Sequence, residues 1–325
     1  MPQAPPRASV VIANRNGMRH LEECFASLAA QSFEDYEIVV VDNASTDESV
    51  QWIRTHAPQA TVIVHDQDEG YSASANDGIR AARGEYIIML NNDVRLDPEW
   101  LGALVSAMDE HPDFDFGASL MILYYEPELT NAAGDVYSLR EVSGANRGWC
   151  QPIELFSEPK RVLGACGGAV VYRRNFFDDV GLYDEDFYLI HEDTDINLRA
   201  LIAGKRCLYI PGARVYHKFR STGDQYLPDR LARLDIRNRW FVASKDLPLR
   251  SFFYCLYRVV LRDTLPLRPS KWHLIPGLIK DLSRQASPMA EGIRMGWAKR
   301  RDVWSRRKVS IGEIRCWLSD GVADL

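Results

Sequence analysis

Glu85-Tyr-Ile-Ile-Met-Leu-Asn-Asn-Asp93 decides how this chain folds. Five apolar residues in unbroken order, with Gly84 before them and Pro98 after, have the pattern of a strand buried on both faces inside a parallel sheet. The run stops at two amides and a carboxylate. In open α/β sheets ligands sit beyond the carboxyl ends of the strands, so Asn91, Asn92 and Asp93 stand where a ligand would be met. One carboxylate among neutral oxygen donors suits a hard divalent cation carrying phosphates. A polar strand-to-helix turn, with Asp93 capping the helix near Pro98, is the other reading of the same residues.

Upstream of this stretch, strand-like and helix-like segments alternate. Ser9–Ala13 has strand character, Asn14-Arg15-Asn16-Gly17 is a turn, and Met18–Ala30 carries Leu21, Cys24, Phe25 and Leu28 at helical spacing. Glu37–Val41 is a second strand ending in Asp42. Ser45 with Glu48 three residues on matches a capping box, so the spacing predicts a helix from here towards His56. Ala60–Val64 and Ala73–Ala82 supply a third strand and a small-residue helix. Such alternation specifies a doubly wound parallel sheet with right-handed crossovers. The first turn offers only Gly17, and a P-loop is absent, so a nucleotide would be held by side chains rather than a glycine cradle. Asp42 is suited to accept from a pyrimidine ring N–H or a ribose hydroxyl; helix capping is better served by Ser45 or Asp47.

Downstream, Trp100–Met108 has helical and Phe116–Leu123 strand character. Residues 124–162 are polar, with Gly134, Gly144 and Gly148 and aromatics that include Trp149; they are expected to be loop-rich, either shaping an acceptor pocket or making a surface excursion. Gly167 and Gly168, before the strand Ala169–Tyr172, permit backbone to approach a ligand. The densest polar cluster is Asp184–Asp195. Helical spacing through Ile196, Leu198, Leu201 and Ile202 puts Glu192 and Asp193 at a helix start, where the macrodipole favours an ionised carboxylate, the form a general base needs. Arg206–Ile210 and Arg214–Tyr216 look like two short strands, the second closed by His217.

Length and composition allow one sizeable core plus an appendage, or two domains: 325 residues, 46% of them hydrophobic. The opening Met1-Pro-Gln-Ala-Pro-Pro lacks the apolar core of a secretory signal, and no run approaches the roughly 20 apolar residues of a spanning helix. Six scattered cysteines without zinc spacing are expected to be reduced residues of a cytoplasmic protein. From Asp229 onward there are 20 basic against 10 acidic residues, which leaves 19 against 35 in the first 228. An acidic body would repel nucleic acid, and no nucleic-acid partner is expected. The tail mixes Phe252, Phe253, Tyr257, Trp272 and Leu274 with Arg250, Arg258 and the Lys299-Arg-Arg301 and Arg306-Arg-Lys308 clusters. Two readings are open: helices lying on an anionic bilayer, or helices packed on the body or on a second subunit of a homodimer.

Taken together, Val11-Ile-Ala-Asn14-Arg15-Asn16-Gly17, Val41-Asp42-Asn43-Ala44-Ser45-Thr46-Asp47, Gly70-Tyr71 with Asn76 and Gly78, Leu90-Asn91-Asn92-Asp93, Gly181-Leu-Tyr-Asp184-Glu185, Glu192-Asp193-Thr194-Asp195, Gly204 and His217 resemble the inverting family 2 glycosyltransferases. Asp-Asn-Ala-Ser-Thr-Asp and Leu-Asn-Asn-Asp look most like the rhamnosyltransferase-type branch, which builds bacterial surface polysaccharides. The resemblance spans about residues 8–220 and implies a GT-A α/β fold, a nucleotide-diphosphate sugar donor (dTDP- or UDP-linked), and a glycan or lipid-linked acceptor. It implies a divalent cation, Mg²⁺ or Mn²⁺, held by Asp93 and His217; Asn14, Arg15, Asp42, Asn76, Asn91 and Asn92 around the nucleotide sugar; and Asp193 as catalytic base beside Glu192. Gly167, Gly168 and Trp149, from the segments read above, are expected towards the acceptor. Asn91 stands where many relatives have an Asp, Arg15 where a Tyr is common and Asp68 where an Asn is usual, departures that bear on metal dependence and on the nucleotide pocket. Ile236-Arg-Asn-Arg239-Trp240 lacks the Gln of the processive synthases' Gln-x-x-Arg-Trp, so a single addition per acceptor is expected. The expected division is a catalytic domain over residues 1–228, with a nucleotide-sugar half at about 8–123 and an acceptor half at about 124–228, and a basic amphipathic helical tail over 229–325. The expected location is cytoplasmic, peripheral on the inner face of the cell membrane.

Overall fold

The structure, a computed structural model, describes residues 4–218, 228–259 and 275–319; Trp272 and Leu274 lie outside the described residues. The first half follows the alternation of the sequence: β1 (Ala8–Asn14), α1 (Met18–Ala29), β2 (Tyr36–Asp42), α2 (Ser49–His56), β3 (Thr61–Val64), α3 (Tyr71–Ala81) and β4 (Tyr86–Leu90). β4 is buried at every position. Tyr86, Ile88 and Leu90 face a core shared with α1, while Ile87 and Met89 face a second core shared with α3, the consequence of period-two side chains in a strand covered on both sides. β5 (Val94–Leu96), α4 (Trp100–Glu110) and β6 (Phe116–Leu123) follow.

Residues 124–162 are more ordered than their composition implies. They form β7 (Glu126–Ala132), β8 (Asp135–Ser138), β9 (Ser143–Asn146) and β10 (Lys160–Val162). Polar strands of this kind carry little apolar periodicity, so nothing in the sequence separated them from loop. β11 (Ala169–Arg173), α5 (Phe176–Val180), α6 (Glu192–Ile202) and β12 (Cys207–His217) complete the body. The two short strands expected near its end are one, irregular between Ile210 and Arg214.

The sheet order is β10-β12-β6-β11-β4-β1-β2-β3. β1 to β4 are mutually parallel and β12 is parallel to β6, but β11 runs antiparallel between β4 and β6. The sheet is therefore mostly parallel, with antiparallel β11 bringing Gly167 and Gly168, just before it, to the carboxyl end of β4.

The basic segment folds into α7 (Pro228–Asp246), α8 (Leu249–Tyr257), α9 (Ile275–Ser305) and α10 (Ile311–Cys316), and its last element, β13 (Leu318–Ser319), pairs with β8. Trp240, Phe241 and Phe252 from these helices share a core with Phe187, Leu198 and Leu201 of the body. Many of its cations are spent on that contact. Lys245, 1% exposed, lies between Asp184 and Asp195, Lys299 bridges Asp184 and Asp186, and Lys308 meets Asp179. Thus three carboxylates of the acidic cluster at 184–195 are paired with lysines of the tail. Among the described residues no helix is long and apolar enough to cross a membrane, and all six cysteines are free.

Candidate functional site

Three parallel strand ends build the floor. Asn14, at the end of β1, is in register with Asp42 at the end of β2. Its amide donates to Asp42 Oδ2 (2.7 Å) and its Oδ1 accepts from Asn92 Nδ2 (2.8 Å), a chain of bonds running β2 to β1 to β4. Gly17 is needed here because a Cβ would lie 2.2 Å from both Asn14 Oδ1 and Asn92 Nδ2. The Asp42 carboxylate is wholly buried and already accepts from Asn14, from Ser45 N (2.9 Å) and from Ser45 Oγ (2.7 Å). Asp42 therefore fixes its neighbours, and the structure leaves no oxygen of it facing the cavity described below. The same bonds explain why the Ser45 capping box does not form. α2 starts at Ser49, whose N–H donates to Asp47 Oδ1 (3.1 Å), while Asp47 Oδ2 accepts from Met18 N (3.1 Å) at the start of α1.

Above this floor lies a cavity of about 210 Å³. Asn14, Arg15, Asn91 and Asn92 line it from the strand ends, Gly167 and Gly168 from the segment before β11, and Glu192 and Asp193 from the first turn of α6. Asn91 N donates to Gly168 O (2.9 Å), and a Cβ on Gly168 would press on the mobile end of Met121 (Cε, 2.8 Å) and on Asn91 Nδ2 (3.1 Å), so a side chain there would crowd Asn91. Asp193 Oδ1 accepts from Thr194 N (2.7 Å) and Oδ2 from Gly167 N (3.4 Å).

The helix start does not keep Glu192 ionised. Burial, followed by the neighbouring Asp193 charge, raises its pKa to about 8, so desolvation outweighs the macrodipole. Glu192 Oε2 is shut from solvent and has no hydrogen-bond partner. Asp135 on β8 is likewise raised by burial and then by Asp193. Cys166, which also lines the cavity, is held well up by burial and by Asp135 and Asp193, so it is a thiol rather than a nucleophilic thiolate.

Asp93 is 2% exposed and lies behind the wall made by Asn91 and Asn92, with His217 Nε2 3.3 Å from its Oδ1. His217 Nδ1 is 2.8 Å from Asn131 Oδ1; donation to that oxygen puts the lone pair of a neutral ring on Nε2, towards Asp93. A carboxylate and an imidazole lone pair form a donor set that fits Mn²⁺ or Mg²⁺.

Two nominated residues are elsewhere. Asn76 spends its amide on Tyr183 O (2.9 Å), Glu185 Oε1 (2.8 Å) and Tyr183 N (2.9 Å), pinning the 183–185 segment to α3, and does not line the cavity. Trp149 lies in the turn after β9, 40% exposed and away from the cavity lining. Tyr188 and Leu189, from the acidic 184–195 stretch, join Arg15, Asp68 and Tyr71 around the cavity. Arg15 pairs with Asp68 Oδ2 (3.0 Å), Asp68 Oδ1 accepts from Asn43 Nδ2 (2.8 Å), and the Tyr188 hydroxyl donates to Asp68. Tyr71 and Leu189 line the cavity as well.

The loop that delivers Glu192 and Asp193 is strained. Tyr188, Ile190 and His191 all have positive φ (65°, 62° and 68°), and such residues cost on the order of 1–3 kcal/mol each when not glycine.

The model of "Glycosyl transferase family 2" matches residues 9–181, more than half of the chain. Among curated proteins, an uncharacterized Sinorhizobium fredii protein, y4gI, is 27% identical over 73% of this chain and 28% of its own length. The Myxococcus xanthus O-antigen biosynthesis protein RfbC is 27% identical over 65% of this chain and 17% of its own. The chain thus spans under a third of these two relatives. A Mycobacterium tuberculosis protein named N-acetylglucosaminyl-diphospho-decaprenol L-rhamnosyltransferase is 28% identical over 63% of this chain and 74% of its own. Among solved structures, GalNAc-T7 with UDP, GalNAc and Mn²⁺ superposes with a TM-score of 0.64 over 86% of this chain and 55% of that one, at 20% identity. Staphylococcus aureus TarS 1–349 with UDP superposes with a TM-score of 0.53 over 95% and 89%, at 18% identity. These likenesses establish the fold as GT-A.

Proposed function

The chain belongs to glycosyl transferase family 2, and from that premise we propose that it moves a sugar, rhamnose in the first instance, from a nucleotide-diphosphate donor to a hydroxyl of a glycan or lipid-linked acceptor with inversion. The observation that carries this reading is the single cavity shared by Asn91 and Asn92 with Glu192 and Asp193, a hundred positions on. Rhamnose and a lipid-linked acceptor are favoured by the name of the mycobacterial relative, and bacterial surface polysaccharide by that of the Myxococcus one.

In this scheme Asp193, oriented by Gly167 N and Thr194 N, takes the proton of the acceptor hydroxyl. The hydroxyl oxygen bonds to the anomeric carbon as the bond from that carbon to the diphosphate oxygen breaks, and the nucleoside diphosphate departs. One displacement inverts the centre, so no nucleophilic side chain is required, in keeping with Cys166 remaining a thiol. Asn14, Arg15, Asn91 and Asn92 hold the donor, and Glu192, kept protonated by burial, supplies a hydrogen-bond donor at the cavity wall for the bound sugar nucleotide. Asp93 and His217 would hold a divalent cation, whose charge would offset that developing on the leaving diphosphate.

Membrane contact is proposed for one strip of the tail rather than for all of it. α8 buries Ser251, Phe252 and Cys255, while Phe253 (56%) and Tyr257 (57%) stay exposed on the same side as Leu249. Trp297 of α9 packs on Phe252 at 5.5 Å, and Arg250, Arg294 and Arg301 are exposed nearby in sequence. Aromatics edged by arginine suit an anionic bilayer and would set the enzyme at the cytoplasmic face.

Thermal-shift titration with dTDP-rhamnose and UDP-GlcNAc, each with Mn²⁺ or EDTA, tests the donor. A Mn²⁺-dependent rise with dTDP-rhamnose is expected; a response to UDP-GlcNAc alone would replace the sugar, and no response to any sugar nucleotide would overturn the reading. For the tail, co-sedimentation with phosphatidylglycerol vesicles that salt reverses is expected, and Phe253→Ala with Tyr257→Ala should abolish it. Indifference to lipid charge would leave the strip a packing surface.

A further inference from the structure

Glu192 and Asp193 enter the cavity from a loop that the catalytic body does not hold alone. Asn238, in the middle of α7 and wholly buried, aims Nδ2 at three carbonyls of that loop: Phe187 O (3.1 Å), Leu189 O (2.9 Å) and Ile190 O (2.8 Å). Its Oδ1 accepts from Arg237 Nε (2.9 Å), which fixes the amide with its donors towards the loop. Arg237 Nη2 meets Asp186 O (2.8 Å) and Phe187 O (2.9 Å), and Asp235 accepts from His191 Nε2 (2.8 Å) while being held by Arg239. Three side chains of one helix, one of them backed by Arg239, therefore satisfy the turn whose Tyr188, Ile190 and His191 adopt the left-handed half of backbone space. Left-handed β-branched and aromatic residues persist only where surrounding contacts over-determine them, and here those contacts come from the tail. The other side of the loop reaches the donor pocket, since the Tyr188 hydroxyl bonds Asp68 and Tyr188 O accepts from Tyr71 N (2.7 Å).

We infer that Asn238 is a positioning residue: from outside the family-matched region, its amide sets the 187–191 turn and so fixes where Glu192 and Asp193 stand relative to the donor. The inference rests on the reading of Asp193 as base. A base displaced by about 1 Å can cost on the order of 10²-fold in rate without touching substrate affinity, because alignment rather than binding is lost.

The test compares Asn238→Ala with Ser244→Ala on the same helix. Ser244 is also buried, but its hydroxyl donates to Trp240 O and to Gly292 O of α9 and makes no bond to the loop. Hydrogen–deuterium exchange of the full chain should show amides 187–195 at least about tenfold faster in Asn238→Ala and unchanged in Ser244→Ala. With dTDP-rhamnose, at a temperature where each variant is fully folded, kcat should fall about 10- to 100-fold in Asn238→Ala with donor KM within about twofold, while Ser244→Ala keeps both. Arg237→Lys, which retains Asn238 but loses the paired contact to two carbonyls, should shift both readouts in the same direction by less, and serves if Asn238→Ala does not fold. Unchanged exchange at 187–195, or a wild-type kcat in a variant with lowered Tm, would overturn the assignment. A wild type that turns over no sugar nucleotide would count against the transferase reading instead, because the exchange comparison needs no substrate.

Discussion

The donor-side residues and the acid pair reach the same cavity by different routes. Asn14, Asn91 and Asn92 are placed by strand register: β1, β2 and β4 end together, and the bond chain from Asp42 through Asn14 to Asn92 ties those ends. Glu192 and Asp193 are placed by a turn with three positive-φ residues, held from α7. Sheet register is redundant, because each strand is fixed along its length. A strained turn depends on a few contacts. The first half of the site should therefore tolerate loss of single bonds, and the second should not.

The largest effect is expected from Asp193→Asn, which keeps shape and removes the proton acceptor. Transfer should drop about 10³-fold while Mn²⁺-dependent donor binding by calorimetry stays within about twofold; near-normal turnover would remove Asp193 from the chemistry. Next comes Lys245→Met. It leaves Asp184 and Asp195 buried without their shared cation and should cost about 3–5 kcal/mol in urea unfolding. A change under about 1 kcal/mol would mean that the tail is not what supports this side. Asn14→Ala should cost only about 1–3 kcal/mol, since Ser45 still serves Asp42, and should weaken donor binding more than it slows transfer. The opposite kinetic split would erase the distinction between the two halves.

The most gradual effect is a pH dependence. Glu192 has a carboxyl raised by burial from its ordinary value to about 8, so the folded protein holds a proton that the unfolded chain has released. Stability from this group is complete below about pH 4.5, declines as pH rises between there and about 8, and is lost above. Relative to Glu192→Gln, the wild type should lose up to about 1.4 kcal/mol per pH unit in that window. Parallel pH profiles for the two proteins would show that Glu192 is ionised in the fold.

Legibility in the sequence follows the same division. Strand ends could be read because an apolar run closed by polar residues fixes direction and terminus together, and Asn91, Asn92, Gly167 and Gly168 all arrive in the cavity. Ser45 was misassigned because a capping box is a local pattern, whereas its hydroxyl is used by Asp42 across the turn. Asn76 and Trp149 belong to motifs or compositions near the site, yet the amide of Asn76 is consumed between elements and Trp149 stays at the surface. The Arg15–Asp68–Tyr188 contact joins positions 120 or more apart at its extremes and has no periodic signal. Asn238 did leave a trace: an amide in a helix interior beside Trp240 and Phe241 is a poor helix former among core residues, which points to a tertiary partner without saying which.

The ion pairs between the 184–195 cluster and the tail carry a consequence for descent. Lys245 and Lys299 share Asp184, and Lys245 also serves Asp195, so the buried Lys245 and its two aspartates cannot drift independently without leaving an interior charge short of a partner. Chimaeras that exchange only the C-terminal third between relatives should fail unless Lys245 travels with Asp184 and Asp195, and the lineage should show these three positions changing together.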